Sequence, residues 1–518
     1  MQEQVPGKEL SPARRAGAGL HLTSLPGEFG IGELGKEAYA FIDSLRKMQL
    51  SVWQFLPLGP TGYGDSPYQS LSSFAGNEML IDISDLQKKR LLKSREVKAL
   101  SGLSSDYVDY DALVPAKSAL LMTAASRFSA RANAKLKSAY EQFLARNDTR
   151  WLRDYALYRI LKSRHDDQPW PHWAPQFVHR NAEALLKLER DAGTEIQCIK
   201  IQQFLFYEQW QRLREYAHAS GVLLFGDMPI YIALDSSDAW ANRDILRLDA
   251  DGKPDRVGGV PPDYFSNDGQ LWGNPLYDWD AHARDGYRWW IDRLSASTDT
   301  ADIVRIDHFR GFESYWSIPA EATTARNGRW EPGPGDAIFN ALKQALGSLP
   351  IVAEDLGLIT PEVESLRDRH QLPGMVVLQF CVTNEGFDLA TVPENSVCYT
   401  GTHDNDTSLG WFRGGPGDER SADQIKADQE AVLRICQGDP DSVSMDLVRA
   451  AFSTPARLAI APMQDYLGLG SEARFNTPGT ANTNWRWRLN PSTLTDKLCA
   501  EVAAAVSESG REVISAPR

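Results

Sequence analysis

Four acidic residues, Asp227, Asp307, Glu354 and Asp404, stand at or just past short runs rich in Val, Ile, Leu and Phe. Runs of this kind suit strands buried on both faces. Acids on separate strand ends suit chemistry that uses two carboxyl groups of different acidity. A glycosidic bond breaks through an oxocarbenium-like transition state, so its catalyst needs a carboxylic acid for the leaving oxygen and a carboxylate on the other face of the sugar. Asp307 and Glu354 fit that pair. Arg305 lies two residues before Asp307, shares its side of the strand, and is expected to keep that carboxylate ionised. Glu354 must hold a proton near neutrality, which requires a partly apolar site or a nearby carboxylate, with Asp404 the candidate. His308 and His403 each adjoin a candidate acid, and an uncharged imidazole N–H donates to sugar hydroxyls.

Other readings use the same residues. A strand-end acid often caps a helix or joins a surface ion pair, but four such positions on separate strands favour chemistry. Asp307-His308 and His403-Asp404 also fit a divalent-metal hydrolase. No further His or Cys cluster accompanies them, so no metal ligands and no cofactor are expected. A non-catalytic glycan-binding protein would need only the aromatics and would leave the acid pair without purpose.

Positioning these residues requires strands that alternate with helices. Apolar runs begin at Ser51, Gly221, Ala301, Pro350, Gly374 and Asn395, each followed by a turn and a helical stretch. That alternation implies a parallel α/β barrel or an open sheet. In a barrel, the C-terminal ends of the strands line the face that carries chemistry. The acids are spaced more widely than the roughly 30 residues of a minimal βα unit, so insertions are implied. Residues 85–192 read as a mainly helical insertion and 228–300 as a second one. Within the latter, 251–279 reads as a long loop, with glycines and prolines around Tyr264, Phe265 and Trp272. The whole chain, 1–518, is expected to form a single barrel.

Composition agrees with this. A 42% hydrophobic content with 15 Trp excludes disorder and coiled coil, and a net charge of −14 disfavours nucleic acid, which is bound mainly through Lys and Arg. Cys198, Cys381, Cys398, Cys436 and Cys499 are isolated from one another, as in a reducing compartment. There is no apolar leader and no run approaching the roughly 18 apolar residues of a membrane span, so a cytoplasmic protein without membrane contact is expected. Oligomeric state is not legible.

Several long motifs carry a family resemblance: WQFLPLGPTGYGDSPYQSLSSFAGN, FGDMPIY, VPPDYFSNDGQLWGNPLY, VRIDHFRGF, IVAEDLG, LPGMVVLQF and YTGTHDNDT. The chain resembles the amylomaltases, or 4-α-glucanotransferases, which are relatives of the α-amylases. The resemblance implies a (β/α)8 TIM barrel with inserted subdomains and no C-terminal β-sandwich. It implies Asp307 as nucleophile, Glu354 as general acid/base and Asp404 as transition-state stabiliser. It further implies Asp227, Arg305, His308 and His403 around the donor sugar, and Tyr264, Phe265, Gln270, Trp272 and Asn274 on the acceptor side. Tyr63, Asp65, Ser66 and Tyr68, in a turn after the first clear strand, are candidates for the non-reducing-side sugars. Asn476, Pro478 and Gly479 resemble a motif near the substrate groove. The implied substrates are maltooligosaccharides and starch- or glycogen-like α-1,4-glucans, with an α-amylase-type hydrolase as the alternative.

Overall fold

The computed structural model describes residues 13–262, 267–415, 418, 420–480 and 483–514. Its strands are β1 (Arg15–Gly19), β2 (Val52–Gln54), β3 (Leu223–Pro229), β4 (Arg256–Val260), β5 (Gln270–Pro275), β6 (Ile303–Asp307), β7 (Ser314–Pro319), β8 (Arg329–Pro332), β9 (Ile351–Ala353), β10 (Gly374–Val377), β11 (Ser396–Tyr399) and β12 (Leu458–Pro462). An eight-stranded sheet runs in the order β10-β11-β12-β1-β2-β3-β6-β9. Its paired strands are parallel. The Ala353 N–H donates to the Pro373 carbonyl at 2.8 Å, which joins β9 to the chain entering β10 and closes a (β/α)8 barrel.

The period of two along each strand builds the barrel floor and the site from the same residues. Val52, Phe225, Ile303, Val352, Val397, Leu458 and Ile460 pack together as one buried cluster. Two positions further along come Gln54 after Val52, Asp227 after Phe225, Arg305 after Ile303, and Glu354 after Val352. A hydrophobic floor therefore carries a polar layer at the C-terminal end of the strands. The larger core lies between strands and helices and includes Trp53, Leu224, Val304 and Ile306, which face outward.

Two barrel strands, β1 and β12, have no counterpart among the apolar runs identified in the sequence. Their segments, RAGAG and LAIAP, are short and small-residued. Packing explains β1. A Cβ on Gly17 would lie 2.5 Å from the Val52 carbonyl oxygen and 2.6 Å from Ile460 Cδ1, so a bulky residue has no room.

Between β2 and β3 the chain is helical. Helices Tyr110–Ser126, Ala134–Asn147 and Ala182–Asp191 start at Asp109, Asn133 and Asn181, whose side chains accept from Ala112, Leu136 and Ala184 N–H. The 27-residue helix Gly193–Ala219 leads into β3.

The reading of 251–279 as an irregular loop is corrected by the structure. β4 and β5 form a hairpin within an antiparallel sheet of order β5-β4-β7-β8, which extends beyond that segment to Pro332. The glycines that suggested a loop allow close approach instead: a Cβ on Gly259 would lie 2.2 Å from the Gln270 carbonyl oxygen. Among the described residues no helix is long and apolar enough to cross a membrane.

Candidate functional site

Arg305, 6% exposed, sits between two acids. Its Nη1 reaches Asp227 Oδ2 at 2.7 Å and its Nη2 reaches Asp307 Oδ1 at 2.8 Å. Inward alternation on β6 puts Arg305 and Asp307 on one side, and the pairing of Asp227 with Arg305 brings β3 alongside. The Tyr68 hydroxyl also donates to Asp227 Oδ2, at 2.7 Å. Asp227 Oδ1 is buried and has no hydrogen-bonding partner in the protein, so it is an acceptor open to a ligand hydroxyl.

Burial pushes the Asp307 carboxyl above its ordinary range; Arg305 pulls it down, and Asp227 and Asp404 add to the rise. The ion pair alone therefore does not set its acidity, as the sequence had suggested. Glu354 follows β9, and the pairing of Ile306 with Ala353 places it beside Asp307. It accepts from the His308 backbone N–H at 2.7 Å and from Leu356 N–H at 3.0 Å. Burial pushes its carboxyl up to about 7, Arg305 opposes the rise, and Asp307 reinforces it. The repelling carboxylate is thus Asp307 rather than the expected Asp404.

His308 has a left-handed backbone, φ 55°. The ring meets Trp272 edge-on at 4.8 Å. Burial, with a smaller contribution from Arg310, lowers its pKa to about 3, so the imidazole is neutral. Its buried Nε2 has no partner in the protein. A free acceptor on Asp227 and a free ring nitrogen on His308 match the mixed donor and acceptor character of a sugar.

Asp404 lies in the loop after β11, half-exposed, with His403 Nε2 at 3.3 Å from its Oδ1. Asn476 Nδ2 donates to the same oxygen at 2.6 Å. His403 stacks on Tyr68, with centroids 5.1 Å apart. Beside this stack is a cavity lined by Gly19, His21, Gln54, Arg305, Tyr399 and His403, among others. It lies where β1 ends in a glycine.

The remaining candidates sit further out. Tyr63 is 84% exposed. Asp65 is 3.8 Å from Arg486, and Ser66 Oγ accepts from the Tyr68 N–H, so both shape the loop. Gln270 Oε1 accepts from Trp272 Nε1 at 3.0 Å. Asn274 is buried and its Nδ2 donates to the Ile232 carbonyl, bracing β5 against the chain after β3. Pro478 and Gly479 occupy a turn closed by Thr480 N–H to the Thr477 carbonyl, with φ 78° at Gly479. Tyr264 and Phe265 lie outside the described residues. Sequence reasoning did not single out His21 and Gln54, which line the cavity. His21 comes two residues after β1, a strand-end signal that was hidden because β1 itself went unrecognised. Among the described residues no group of three or more His, Cys, Asp or Glu is arranged to hold a metal ion.

Neighbouring carboxyl groups of unequal environment, on the C-terminal rim of a parallel barrel, are what glycosidic bonds require, and the class defined is that of glycoside-processing (β/α)8 enzymes. The sequence pattern described as 4-alpha-glucanotransferase matches residues 20–495. The 4-alpha-glucanotransferase of Synechocystis is 44% identical over 513 residues, covering 96% of this chain and 98% of that protein. That of Thermus thermophilus is 43% identical over 504 residues, covering 96% and 99%. The amylomaltase from Streptococcus agalactiae in complex with acarbose superposes with a TM-score of 0.90 at 35% identity, covering 96% of this chain and 99% of that one. The chain belongs to the 4-alpha-glucanotransferase family, and its enzymatic activity is glucan transfer.

Proposed function

We propose that this enzyme transfers α-1,4-glucan segments from a donor to the 4-hydroxyl of an acceptor glucan or glucose by double displacement at Asp307. The observation that carries this is that Asp307 ends β6 and Glu354 directly follows β9, the strand paired with it. Carboxyl groups on adjacent strand ends suit a retaining double displacement, in which the nucleophile and the acid/base lie close together.

Glu354 gives its proton to the interglycosidic oxygen as Asp307 attacks the anomeric carbon. The C–O bond to the leaving fragment breaks, and a covalent β-glucosyl ester forms on Asp307. Glu354, now ionised, takes the proton of the acceptor 4-hydroxyl. That oxygen displaces Asp307 and restores the α configuration. Asp404 stabilises the oxocarbenium-like charge, while Asp227, Arg305, His308 and His403 hold the donor sugar. Gln270, Trp272 and Asn274 serve the acceptor side, with Tyr63, Asp65 and Ser66 towards the non-reducing sugars, and Asn476 and Pro478 along the groove. The barrel is read as one catalytic domain over 1–518, with 85–192 and 228–300 inserted into it.

The substrates are maltooligosaccharides and starch- or glycogen-like chains, handled without cofactor or metal. The scattered, unpaired cysteines support a cytoplasmic protein.

Incubation with maltotriose tests the reaction. Glucose together with a ladder of sugars longer than the substrate is expected. Shorter sugars alone, with rising reducing ends, overturn transfer in favour of hydrolysis. Tyr264 and Phe265 are read as a lid that excludes water in favour of the acceptor. The double variant Tyr264→Ala, Phe265→Ala is expected to lower the transfer-to-hydrolysis ratio, and an unchanged ratio refutes the lid.

A further inference from the structure

Asp404 stands in a loop rather than on a strand, so its aim depends on how that loop is held. The loop runs from the end of β11 to the helix Ser408–Arg413. Its head reaches the site, since His403 stacks on Tyr68 and the charge of Asp404 adds to the rise of the Asp307 carboxyl. Its two feet, Thr400 and Ser408, meet at one side chain.

That side chain is Asp465, in the short helix Met463–Tyr466 that follows β12, the strand parallel to β11. Asp465 Oδ2 accepts from Thr400 Oγ1 at 2.5 Å and from Ser408 Oγ at 2.7 Å, while its Oδ1 accepts from the Ser408 N–H at 2.7 Å. Asp465 is 1% exposed, and both feet are fully buried. A carboxylate this deep needs its oxygens satisfied, and the loop supplies all three of these donors. Ser444 Oγ donates to the Asp465 carbonyl at 2.8 Å and fixes the clamp from the neighbouring helix. Between the feet the loop is braced: Asn405 Oδ1 accepts from Thr402 N–H at 2.9 Å, and Gln379 Nε2 donates to the Asp406 carbonyl at 3.0 Å. The chain that continues from Asp465 then meets the head, where Arg474 Nη2 donates to the Asp404 carbonyl at 2.8 Å and Asn476 holds the carboxylate.

We propose that Asp465 is a positioning residue for glucan transfer, clamping both ends of the loop so that Asp404 is aimed at the charge that develops on the donor sugar. Being buried, Asp465 acts through Asp404 and not on the sugar. The inference rests on the reading of Asp404 as transition-state stabiliser. Because that charge exists only in the transition state, loosening the clamp costs kcat more than KM.

The test is the turnover of maltotriose by variants checked for folding by near-ultraviolet circular dichroism. Asp465→Ala is expected to lower kcat about 10- to 100-fold, the cost of misaiming a group by about 1 Å, and to change KM less than about threefold. Asp465→Asn keeps an oxygen for the Ser408 N–H, and its amide donates to hydroxyls that turn to accept, so it is expected to restore most of kcat. In an Asp404→Asn background the added loss from Asp465→Ala should shrink to below about threefold, since the two residues act as a unit. Should Asp465→Ala not fold, Ser408→Ala takes its place, with an expected loss of about two- to fivefold in kcat. A folded variant with wild-type kcat overturns the clamp. So does a loss that appears in KM alone, that Asp465→Asn does not relieve, or that is as large without Asp404 as with it. Failure of the underlying reading shows separately, as an Asp404→Asn enzyme that keeps wild-type kcat.

Discussion

Glu354 and Asp307 stand at the ends of adjacent strands, and burial raises both above their ordinary ranges. Asp307 attacks as the anion and Glu354 works first as the acid, so activity requires one proton on the pair. kcat/KM for maltotriose is therefore expected to fall on the alkaline side as Glu354 loses its proton near about 7. On the acid side it falls above the usual aspartate range, as Asp307 gains a proton. Glu354→Gln should remove the alkaline limb and lower kcat by about 10²–10⁴-fold, and an alkaline limb that persists in that variant contradicts the assignment. Arg305 has a structural role as well. It is 6% exposed and its partner Asp227 is 1% exposed, so Arg305→Met leaves a buried charge unpaired. A loss of about 3–5 kcal/mol in urea unfolding is expected, and a loss below 1 kcal/mol would mean that the pair is solvated. The acids themselves were legible in the sequence because each ends or follows an apolar run. Their mutual effects were not. Glu354 is repelled by Asp307 because β6 pairs with β9, a neighbour relation absent from the order of residues along the chain.

The same limit governs the elements. Strands made of Val, Ile and Phe announced themselves, whereas β1 is a strand because its neighbours require small residues. The β4–β5 hairpin was hidden by glycines for the same reason: Gly258 and Gly259 are where other groups approach closely, and glycine in isolation signals a turn. This has a consequence for activity. A methyl group at residue 259 meets the Gln270 carbonyl oxygen at 2.2 Å, so Gly259→Ala must push β5 away from β4. β5 carries Trp272 against His308. The expected cost is about 1–3 kcal/mol, confined to a sheet outside the barrel. Gly259→Ala should therefore lower the transfer-to-hydrolysis ratio while the main unfolding transition shifts little. If the ratio stays unchanged, the hairpin does not position the acceptor side.

Across the whole molecule, burial acts on titratable groups of both kinds, and their effects on stability oppose one another. Glu33, Glu354 and Asp238 are raised, to about 7, about 7 and about 6, so the folded chain gains their protons first as pH falls and is stabilised by them. His21, His308 and His282 are lowered, to about 3, about 3 and about 4, so below their ordinary value of 6.5 the unfolded chain binds protons that the folded chain refuses. That set destabilises the fold on the acid side. His282 separates the two effects because it lies away from the catalytic carboxylates. It is fully buried, and Tyr277 and Trp279 lie 5.3 Å and 5.4 Å from its ring. Both ring nitrogens lack hydrogen-bonding partners, and the partial pull of Asp285 and Asp278 does not overcome burial. Between pH 7.5 and pH 5 the depressed pKa of His282 costs the fold about 2 kcal/mol, a loss that His282→Phe cannot suffer. Urea unfolding at the two pH values should therefore show the wild type losing about 2 kcal/mol more than His282→Phe on acidification. Equal losses would mean that the imidazole is protonated within its aromatic surroundings, with the aspartates at the ends of its helix prevailing over burial.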